Sequence, residues 1–283
     1  MNYRWCAVAR YLVSLCGVPK FPPRAPSSLH YLTLVGRADW LMLRESLVTV
    51  FRVWSLWPSI TVVSDGTWEE SDFRAAFARF PVRCTVLMPD AIIAALDPLK
   101  DAPLSKLAAS HPLGLKLASI LVMARRGSVM FVDSDVLWFS DPWAEHADTL
   151  KCSSLAAGQE PVNGYNQPLV NRLKLEALSG PPFVNSGCVI MQDDAFASDE
   201  LHAWITAAAS QPRERLNEQT LIAMAVRKQG TLLSPELFRV EFADGMKLLP
   251  QSFRAPVPCA RHYAGPVRHL LYRDALLLRM RVR

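Results

Sequence analysis

The sequence predicts an α/β fold with a mostly parallel central sheet that is flanked by helices. Short β-rich runs at 30–35, 59–63 and 84–88 alternate with segments of helical periodicity, which is the pattern of βαβ units. A later run, Val129–Val132, is apolar throughout, as expected of a strand that is buried on both faces of a parallel sheet. The chain has 283 residues and 51% of them are hydrophobic, so it can bury a large core.

The chain opens with a lead that we expect to lie outside the folded domain. Residues 1–29 end in a proline-rich stretch at 19–28, which predicts extended or irregular backbone. The strand at 30–35 is followed by a turn at 36–38 and by a helix that Asp39 caps. The apolar residues of this helix recur at helical spacing and predict a stripe that faces the core: Trp40, Leu43, Leu47, Phe51 and Trp54.

An acidic motif ends the apolar strand Val129–Val132, where Asp133, Ser134 and Asp135 follow directly. Ligands bind at the carboxyl ends of the strands in open α/β sheets, so this D-x-D is well placed to hold a divalent cation. The alternative is a pair of solvated acids in a turn. Neither G-x-G-x-x-G nor G-x-x-x-x-G-K-[ST] is present, so a bound phosphate would need another cradle, and a metal on the D-x-D is one.

Two predicted helices each contain a charged residue near one end. The helix at 113–126 leads directly into the D-x-D strand, and Lys116 lies at the edge of its apolar stripe. The ammonium group of Lys116 can reach the same pocket, or it can extend along the surface into solvent. A later helix is predicted to have Asn217 as its N-cap and to end at Gly230, with Glu218 in the first turn, where it complements the helix dipole.

The segment between these helices is irregular in composition. Residues 158–182 are rich in Gly, Pro and Asn, and we predict a long loop there with a short helical stretch at 173–178. The strand at 183–191 is interrupted by the polar triplet 185–187, which ends in glycine. This interruption predicts a bulge, with or without a ligand that approaches the backbone closely.

The last compact polar cluster lies at 260–268 and contains His262, Gly265 and Arg268. His262 can supply an imidazole nitrogen to a metal, although a lone histidine is more often a hydrogen-bonded core residue. Gly265 allows close approach of the backbone, and Arg268 can bind phosphate through two donors. A short basic helix is predicted to follow at 270–282.

The formal charge of +5 is concentrated at the C-terminal end. Residues 260–283 contain six arginines and one acid, Asp274, so the remainder of the chain is neutral. This distribution argues against a broad nucleic-acid-binding face and leaves a local basic end that could meet phosphate or an anionic membrane surface. A flexible solvated tail is the alternative.

Cysteine usage and hydropathy indicate the compartment. The six cysteines are scattered and form no C-x-x-C pair, as expected of reduced residues in a cytoplasmic protein. The candidate targeting segment at 7–18 is interrupted by Arg10 and is shorter than the roughly 20 apolar residues that span a bilayer. We therefore predict no secretion and no transmembrane helix, with peripheral membrane contact through the basic C-terminus as an open alternative.

Taken in order, four motifs resemble the pattern of glycosyltransferase family 8, which includes glycogenin and the bacterial lipopolysaccharide galactosyltransferases. The motifs are the strand that ends in Asp133-Ser134-Asp135, then Asn185-Ser186-Gly187, then Glu218-Gln219, and then His262 to Arg268. The resemblance covers roughly residues 32–268. It implies a GT-A fold in a domain at 30–268, with the proline-rich lead at 1–29 and a basic helix or tail at 269–283.

The resemblance also implies an activity. Members of this family transfer a hexose from a nucleoside diphosphate sugar, usually UDP-linked, with retention at the anomeric carbon; the acceptor here would be an unknown glycan, lipid or protein. Two D-x-D aspartates and a histidine hold Mn²⁺ (or Mg²⁺) in the family, and these roles fall on Asp133, Asp135 and His262. The other family positions fall on Lys116, Asp39, Ser134, Gly265 and Arg268 in the donor site and on Asn185 and Gln219 near the reacting sugar. A metal and fixed cations suit this reaction because departure of a nucleoside diphosphate develops negative charge.

Two other functions are compatible with parts of the sequence. A phosphatase of the haloacid dehalogenase type also begins with an apolar strand and D-x-D, and residues 192–194 could imitate its later acidic pair. That family has Thr or Val two residues beyond the second Asp, where this chain has Leu137. The other alternative is a catalytically silent protein that binds sugar nucleotides or a membrane surface.

Overall fold

A ten-stranded sheet forms the centre of the described part of the chain. The structure is a computed structural model that describes residues 2–97, 99–152, 154–193, 196, 198–241 and 257–280. The strands are β1 (Pro26–Val35), β2 (Trp57–Ser64), β3 (Thr85–Leu87), β4 (Val129–Val132), β5 (Val136–Trp138), β6 (Leu155–Glu160), β7 (Phe183–Met191), β8 (Thr231–Leu232), β9 (Phe238–Glu241) and β10 (Ala260–Tyr263). The helices are α1 (Asn2–Leu15), α2 (Trp40–Val53), α3 (Glu70–Phe77), α4 (Pro89–Ile93), α5 (Ala102–Ser110), α6 (Pro112–Ala124), α7 (Pro142–Cys152), α8 (Gln167–Arg172), α9 (Asp199–Ala208), α10 (Asn217–Gln229) and α11 (His269–Met280).

The strands follow the order β3-β2-β1-β4-β7-β6-β9-β10-β5, and β8 pairs with β6 at the side of this path. The first four strands in this order are parallel, as the alternating sequence pattern predicts. β7 runs antiparallel to β4 and β6, and β5 runs antiparallel to β10. Among the described residues six of the nine strand pairings are parallel, so the predicted mostly parallel α/β sheet is confirmed.

Helices cover both faces of the sheet because strand side chains alternate between two hydrophobic cores. Phe131 on β4 belongs to the core that includes α5, α6 and α10, whereas Met130 and Val132 belong to the core that includes α2. The predicted stripe of α2 faces this second core, where Leu43 and Leu47 are buried. β4 is therefore buried on both faces, as predicted, and its carboxyl end is held firmly in the sheet.

Close packing of α5 and α6 determines where α6 can present its side chains. An added Cβ at Gly114 would lie 2.1 Å from the carbonyl oxygen of Leu107 on α5, so only glycine allows this approach. His111 caps α6 by accepting a hydrogen bond from the backbone N–H of Leu113. The helix is buried from Gly114 onward, which brings Lys116 into the interior.

The N-terminal segment differs from the irregular lead that the proline-rich stretch predicts. Residues 2–15 form α1, and α1 packs on α11 through the buried side chains of Cys6, Ala9 and Val13. These three residues lie at the i, i+3, i+7 spacing of one helix face, a signal that is too short to predict a helix without knowledge of its partner. The domain limits at residues 29 and 268 stay a prediction.

The segment at 158–182 is more regular than the predicted loop. β6 extends to Glu160, and α8 lies at 167–172, ahead of the predicted helical stretch at 173–178, which holds only a 3₁₀ turn at 176–178. The side chain of Asn166 starts α8 by accepting a hydrogen bond from the N–H of Leu169.

The predicted boundaries of the last two long helices also change. Leu216, not Asn217, is the N-cap of α10, because the amide oxygen of Asn217 accepts a hydrogen bond from the side chain of Asn166 and is not available as a cap. α10 ends at Gly230 as predicted. The helix expected at 270–282 is described as far as Met280, and its last two predicted residues lie outside the described residues.

Candidate active site

The D-x-D turn connects β4 to β5, and backbone hydrogen bonds hold it from both sides. The N–H of Asp133 donates to the carbonyl of Gly187 at 2.9 Å, and the carbonyl of Asp135 accepts from the N–H of Tyr263 at 2.9 Å. Asp135 and Ser134 are buried, whereas 28% of the Asp133 side chain is exposed. One carboxylate is therefore enclosed in the protein and the other borders solvent.

His262 reaches the turn because β10 pairs antiparallel with β5, which places His262 opposite Val136. Its Nε2 lies 3.0 Å from Oδ1 of Asp135 and 3.8 Å from Oδ2 of Asp133. Ligand atoms of the three side chains all lie within 4.8 Å of one another. Two carboxylates and an imidazole at this separation form a group that could hold a divalent cation.

The orientation of the imidazole is determined by Asn185. The amide oxygen of Asn185 accepts a hydrogen bond from the N–H of Gly187 at 2.8 Å, and it lies 3.0 Å from Nδ1 of His262. An oxygen can only accept, so Nδ1 donates and Nε2 faces the carboxylates. A Cβ on Gly187 would lie 2.3 Å from Cε1 of His262, so this geometry requires glycine. The bulge predicted in this strand is confirmed by the register shift between β6 and β7.

The contact between His262 and Asp135 fits a cation. Oδ1 of Asp135 is buried and makes no hydrogen bond of acceptable geometry, although Nε2 of His262 is only 3.0 Å away. The two atoms are thus at an ion-pair distance, and because both are acceptors when the imidazole is neutral, they need a proton or a metal between them. Burial opposes charge on both groups, but their attraction outweighs it, so the pKa of His262 is raised and the pKa of Asp135 is lowered.

Lys116 is buried beneath the D-x-D turn, so the alternative of a surface lysine is wrong. Its Nζ lies 3.1 Å from Oδ1 of Asp133, 3.2 Å from Oγ of Ser186 and 3.4 Å from Oε1 of Glu218, and 4.6 Å from the centre of the Phe131 ring. Burial raises the pKa of Glu218 to about 7, against the opposing effect of Lys116. The ammonium group thus connects a carboxylate at the cleft to one in the interior.

Arg268 approaches the same turn from the other side. Gly265 begins a 3₁₀ turn with a positive φ of 54°, which turns the chain so that Arg268 faces β5. Nε of Arg268 donates to Oδ2 of Asp135 at 2.6 Å, and Nη1 lies 3.8 Å from Oδ2 of Asp39. Burial raises the pKa of Asp39, and Arg268 acts in the opposite direction. Asp39 therefore joins the site through Arg268.

Gln219 is held by a second set of hydrogen bonds. Its amide nitrogen donates to Oε2 of Glu160 at 2.6 Å and to the carbonyl of Gly164 at 2.9 Å, while its amide oxygen lies 3.4 Å from the hydroxyl oxygen of Ser186. Burial raises the pKa of Glu160, which Gln219 partly opposes. The side-chain amide of Gln219 thus has a defined orientation.

These side chains line one open cleft of about 400 Å³. The predicted site residues that line it are Lys116, Asp133, Asp135, Asn185, Gln219, His262, Gly265 and Arg268. Ser134 and Asp39 are not part of its lining, although Asp39 contacts Arg268. The structure thus brings together most of the predicted site, while the role of each residue stays a prediction.

Comparison with known proteins gives a fold but no sequence relative. No protein-family model and no curated protein matches the sequence. Solved structures do match, among them mouse xyloside xylosyltransferase 1 in its apo form, with a TM-score of 0.59 and 15% identity over 84% of this chain and 98% of that one. The chain has the GT-A fold. Two further matches are the galactosyltransferase LgtC in complex with donor and acceptor sugar analogues (TM-score 0.56, 11% identity, 88% of this chain and 95% of that one) and the apo form of the glycosyltransferase GlyE of Streptococcus pneumoniae TIGR4 (TM-score 0.52, 11% identity, 90% and 61%).

Sequence analysis missed two charged residues that line the cleft. Glu160 lies at the end of β6, in a segment that was predicted to be a loop, and Arg215 lies just before α10. The sequence contains one signal for Glu160, which is an acidic residue that follows the short run Leu155–Gly158. This run is a strand that ends at the same edge of the sheet as the strand before the D-x-D. Arg215 has no comparable signal, since basic residues are common in turns.

Proposed function

We propose that this chain is a retaining, metal-dependent glycosyltransferase that moves a hexose from a nucleoside diphosphate sugar, UDP-linked as the family resemblance implies, to a glycan, lipid or protein acceptor. The main observation in support is the convergence of Asp133, Asp135 and His262 at the open cleft. The GT-A fold supports the same conclusion, because it is the fold of the matched glycosyltransferases.

The chain's own residues provide for the departure of a nucleoside diphosphate. Asp133, Asp135 and His262 would hold Mn²⁺ or Mg²⁺, which supplies positive charge to the diphosphate when bound. Lys116 keeps Asp133 in position from below, and Arg268, whose side chain is 44% exposed, can turn from Asp135 toward a phosphate. Charge that develops on the leaving group is thus met by groups that are already in place.

The donor sugar would lie near the metal ligands, beside the side-chain amide of Gln219. The amide of Gln219 is fixed by Glu160 and lines the cleft, so it can orient a sugar hydroxyl or stabilise charge at the reacting carbon. Asn185 contacts His262, which favours a role in positioning the histidine over a direct sugar contact. Asp39 would lie near the nucleotide, beside Arg268. We propose no nucleic-acid partner for this chain, and we propose that it is located in the cytoplasm.

Calorimetric titration of UDP into the protein, with and without Mn²⁺, tests the donor site. We expect binding that requires the metal, that is lost in Asp135→Ala and that is retained in Asp148→Ala, a control that removes an exposed carboxylate from α7 outside the cleft. UDP binding that does not require the metal and is unchanged in Asp135→Ala would contradict the proposal. If UDP does not bind, other nucleotides are titrated, and failure of all of them would overturn the donor site.

Turnover then separates transfer from phosphate-ester hydrolysis. Without an acceptor, we expect the protein with Mn²⁺ to transfer the sugar of a UDP-sugar slowly to water, which releases UDP and a free sugar. NMR before mutarotation should show that the anomeric configuration of this sugar is retained. Hydrolysis of phosphate esters without any sugar nucleotide would instead support the phosphatase alternative. That alternative lacks support from the fold, and part of its second acidic pair, Asp194, lies outside the described residues.

A further inference from the structure

Exposed apolar side chains are concentrated on α1. Of the nine large hydrophobic residues that are exposed in the described part of the chain, five belong to this 14-residue helix. Trp5, Tyr11 and Leu15 are 61%, 64% and 66% exposed, and Val8 and Leu12 lie between them. Single exposed hydrophobic residues are ordinary, but a group of this size on one helix needs an explanation.

These five side chains form one continuous face. At about 100° per residue they occupy roughly a third of the helix circumference, next to the side that packs on α11. The packed side is formed by the buried residues Cys6, Ala9 and Val13. α1 is therefore apolar on two adjacent sides, and the protein covers only one of them.

The charges of the segment that contains α1 are of one sign. Residues 1–38 contain no acidic residue and five basic ones, of which Arg4, Arg10 and Lys20 are exposed on α1 or just after it. Arg4 lies within the arc that the exposed apolar residues occupy, by the spacing of the helix. An apolar face with cations and no anions is complementary to an anionic lipid surface.

The C-terminal arginines that the structure describes do not form a solvated basic end. Four of the six make ion pairs within the fold: Arg261 and Arg273 with Asp274, Arg268 with Asp135, and Arg279 with Glu45. Arg281 and Arg283 lie outside the described residues. Among the described residues, the surface that is both cationic and apolar is therefore on α1.

We propose that α1 is an interfacial helix that docks the protein on an anionic membrane surface, with Trp5, Tyr11 and Leu15 inserted among the lipids. Tryptophan and tyrosine favour this position because each has an apolar ring and a polar group. No helix in the described ranges is long and apolar enough to cross a membrane. The proposed helix therefore lies in the plane of the membrane interface.

A second copy of the chain is a poorer occupant of this face. A 14-residue helix is about 21 Å long and about 10 Å wide, which is far short of the roughly 800 Å² per partner that a stable interface buries. A symmetric pair would also bring the cations of the two copies together without any acid on α1 to compensate them.

Sedimentation of the full chain with lipid vesicles tests the proposal without any need for transferase activity. The probes are vesicles of phosphatidylcholine alone and vesicles in which about a third of the lipid is phosphatidylglycerol. We expect binding to the anionic vesicles that weakens at high salt. The double variant Trp5→Ala, Leu15→Ala should bind the anionic vesicles at least about tenfold more weakly, because it removes two inserted side chains. Arg4→Glu should reduce binding to anionic vesicles.

Leu99→Ala is the matched control, because Leu99 is 93% exposed but stands apart from α1. It should bind vesicles as the unchanged protein does, and equal melting temperatures would show that all variants are folded. Absence of binding to anionic vesicles, or equal binding by the double variant, would overturn the proposal. Light scattering that shows a dimer broken by Trp5→Ala, Leu15→Ala would also overturn it and assign the face to a second copy.

Discussion

The side-chain oxygen of Asn185 accepts a hydrogen bond from Nδ1 of His262 at 3.0 Å, and it accepts a second one from the N–H of Gly187 at 2.8 Å. The backbone donor prevents the amide from turning over, so the proton of the neutral imidazole is placed on Nδ1. Nε2 is then left to face Asp133 and Asp135. A residue that the family resemblance places near the sugar thus determines how the proposed metal ligand His262 is presented.

Replacement of Asn185 by leucine should weaken metal binding. The hydrogen bond to Nδ1 is lost, the imidazole can rotate, and affinity for Mn²⁺ is expected to fall by about 10- to 100-fold, the usual effect of removing a partner of a ligating histidine. Asn185→Asp is the control, because it keeps an oxygen acceptor for both donors. Titration of Mn²⁺ at a fixed UDP concentration measures the effect. Equal losses in both variants would show that the acceptor oxygen does not matter.

Gly187→Ala should displace the same histidine by steric conflict. The new Cβ would lie 2.3 Å from Cε1 and 2.4 Å from Nδ1 of His262, so the ring or the bulge must move. We expect a loss of about 1–3 kcal/mol in the free energy of unfolding, together with weaker Mn²⁺ binding. Gly180→Ala is a suitable control, since nothing lies within 4 Å of its added Cβ. Chemical denaturation of the two variants measures the difference, and similar stability would contradict the expected conflict.

Arg268→Ala should have opposite effects on the metal and on the nucleotide. The guanidinium pairs with Asp135 at 2.6 Å, so its removal frees a proposed metal ligand and removes a competing cation. Affinity for Mn²⁺ alone should therefore rise several-fold, while affinity for UDP at saturating Mn²⁺ should fall by about tenfold, because a charge-assisted contact to the diphosphate is lost. Calorimetry with each ligand separates the two effects, and Arg268→Lys should restore part of the UDP affinity. Loss of both affinities would indicate a structural role only.

The parts of the fold that could be predicted are those with strong local signals. The strand before Asp133 is apolar throughout, and the stripe of α2 keeps helical spacing for four turns, so both are visible without tertiary contacts. The bulge at Asn185–Gly187 was visible because polar residues and glycine interrupt an apolar strand.

The parts that could not be predicted depend on contacts between distant segments. Burial of Lys116 depends on the close passage of α5 and α6 at Gly114, which no periodicity reveals. Glu160 joins the site because β6 pairs with β7, although its own segment has the composition of a loop. Asn217 is not the N-cap of α10, because the side chain of Asn166, 51 residues away, donates a hydrogen bond to its amide oxygen. In each case a nonlocal partner overrides the local preference.

Glu218→Gln should change the pH dependence of stability. Burial raises the pKa of Glu218 to about 7, whereas the pKa of a glutamate in an unfolded chain is about 4.3. Between these values the folded state binds one more proton than the unfolded state, so ionisation of Glu218 lowers stability as the pH rises through this window. Relative to Glu218→Gln, the unchanged protein should therefore lose stability between pH 5 and pH 8, by on the order of 3 kcal/mol at most. The glutamine can still accept from Ser186 and keeps the shape of the side chain. Urea denaturation of both proteins at the two pH values measures the effect, and a stability difference that is the same at both would show that Glu218 does not titrate there.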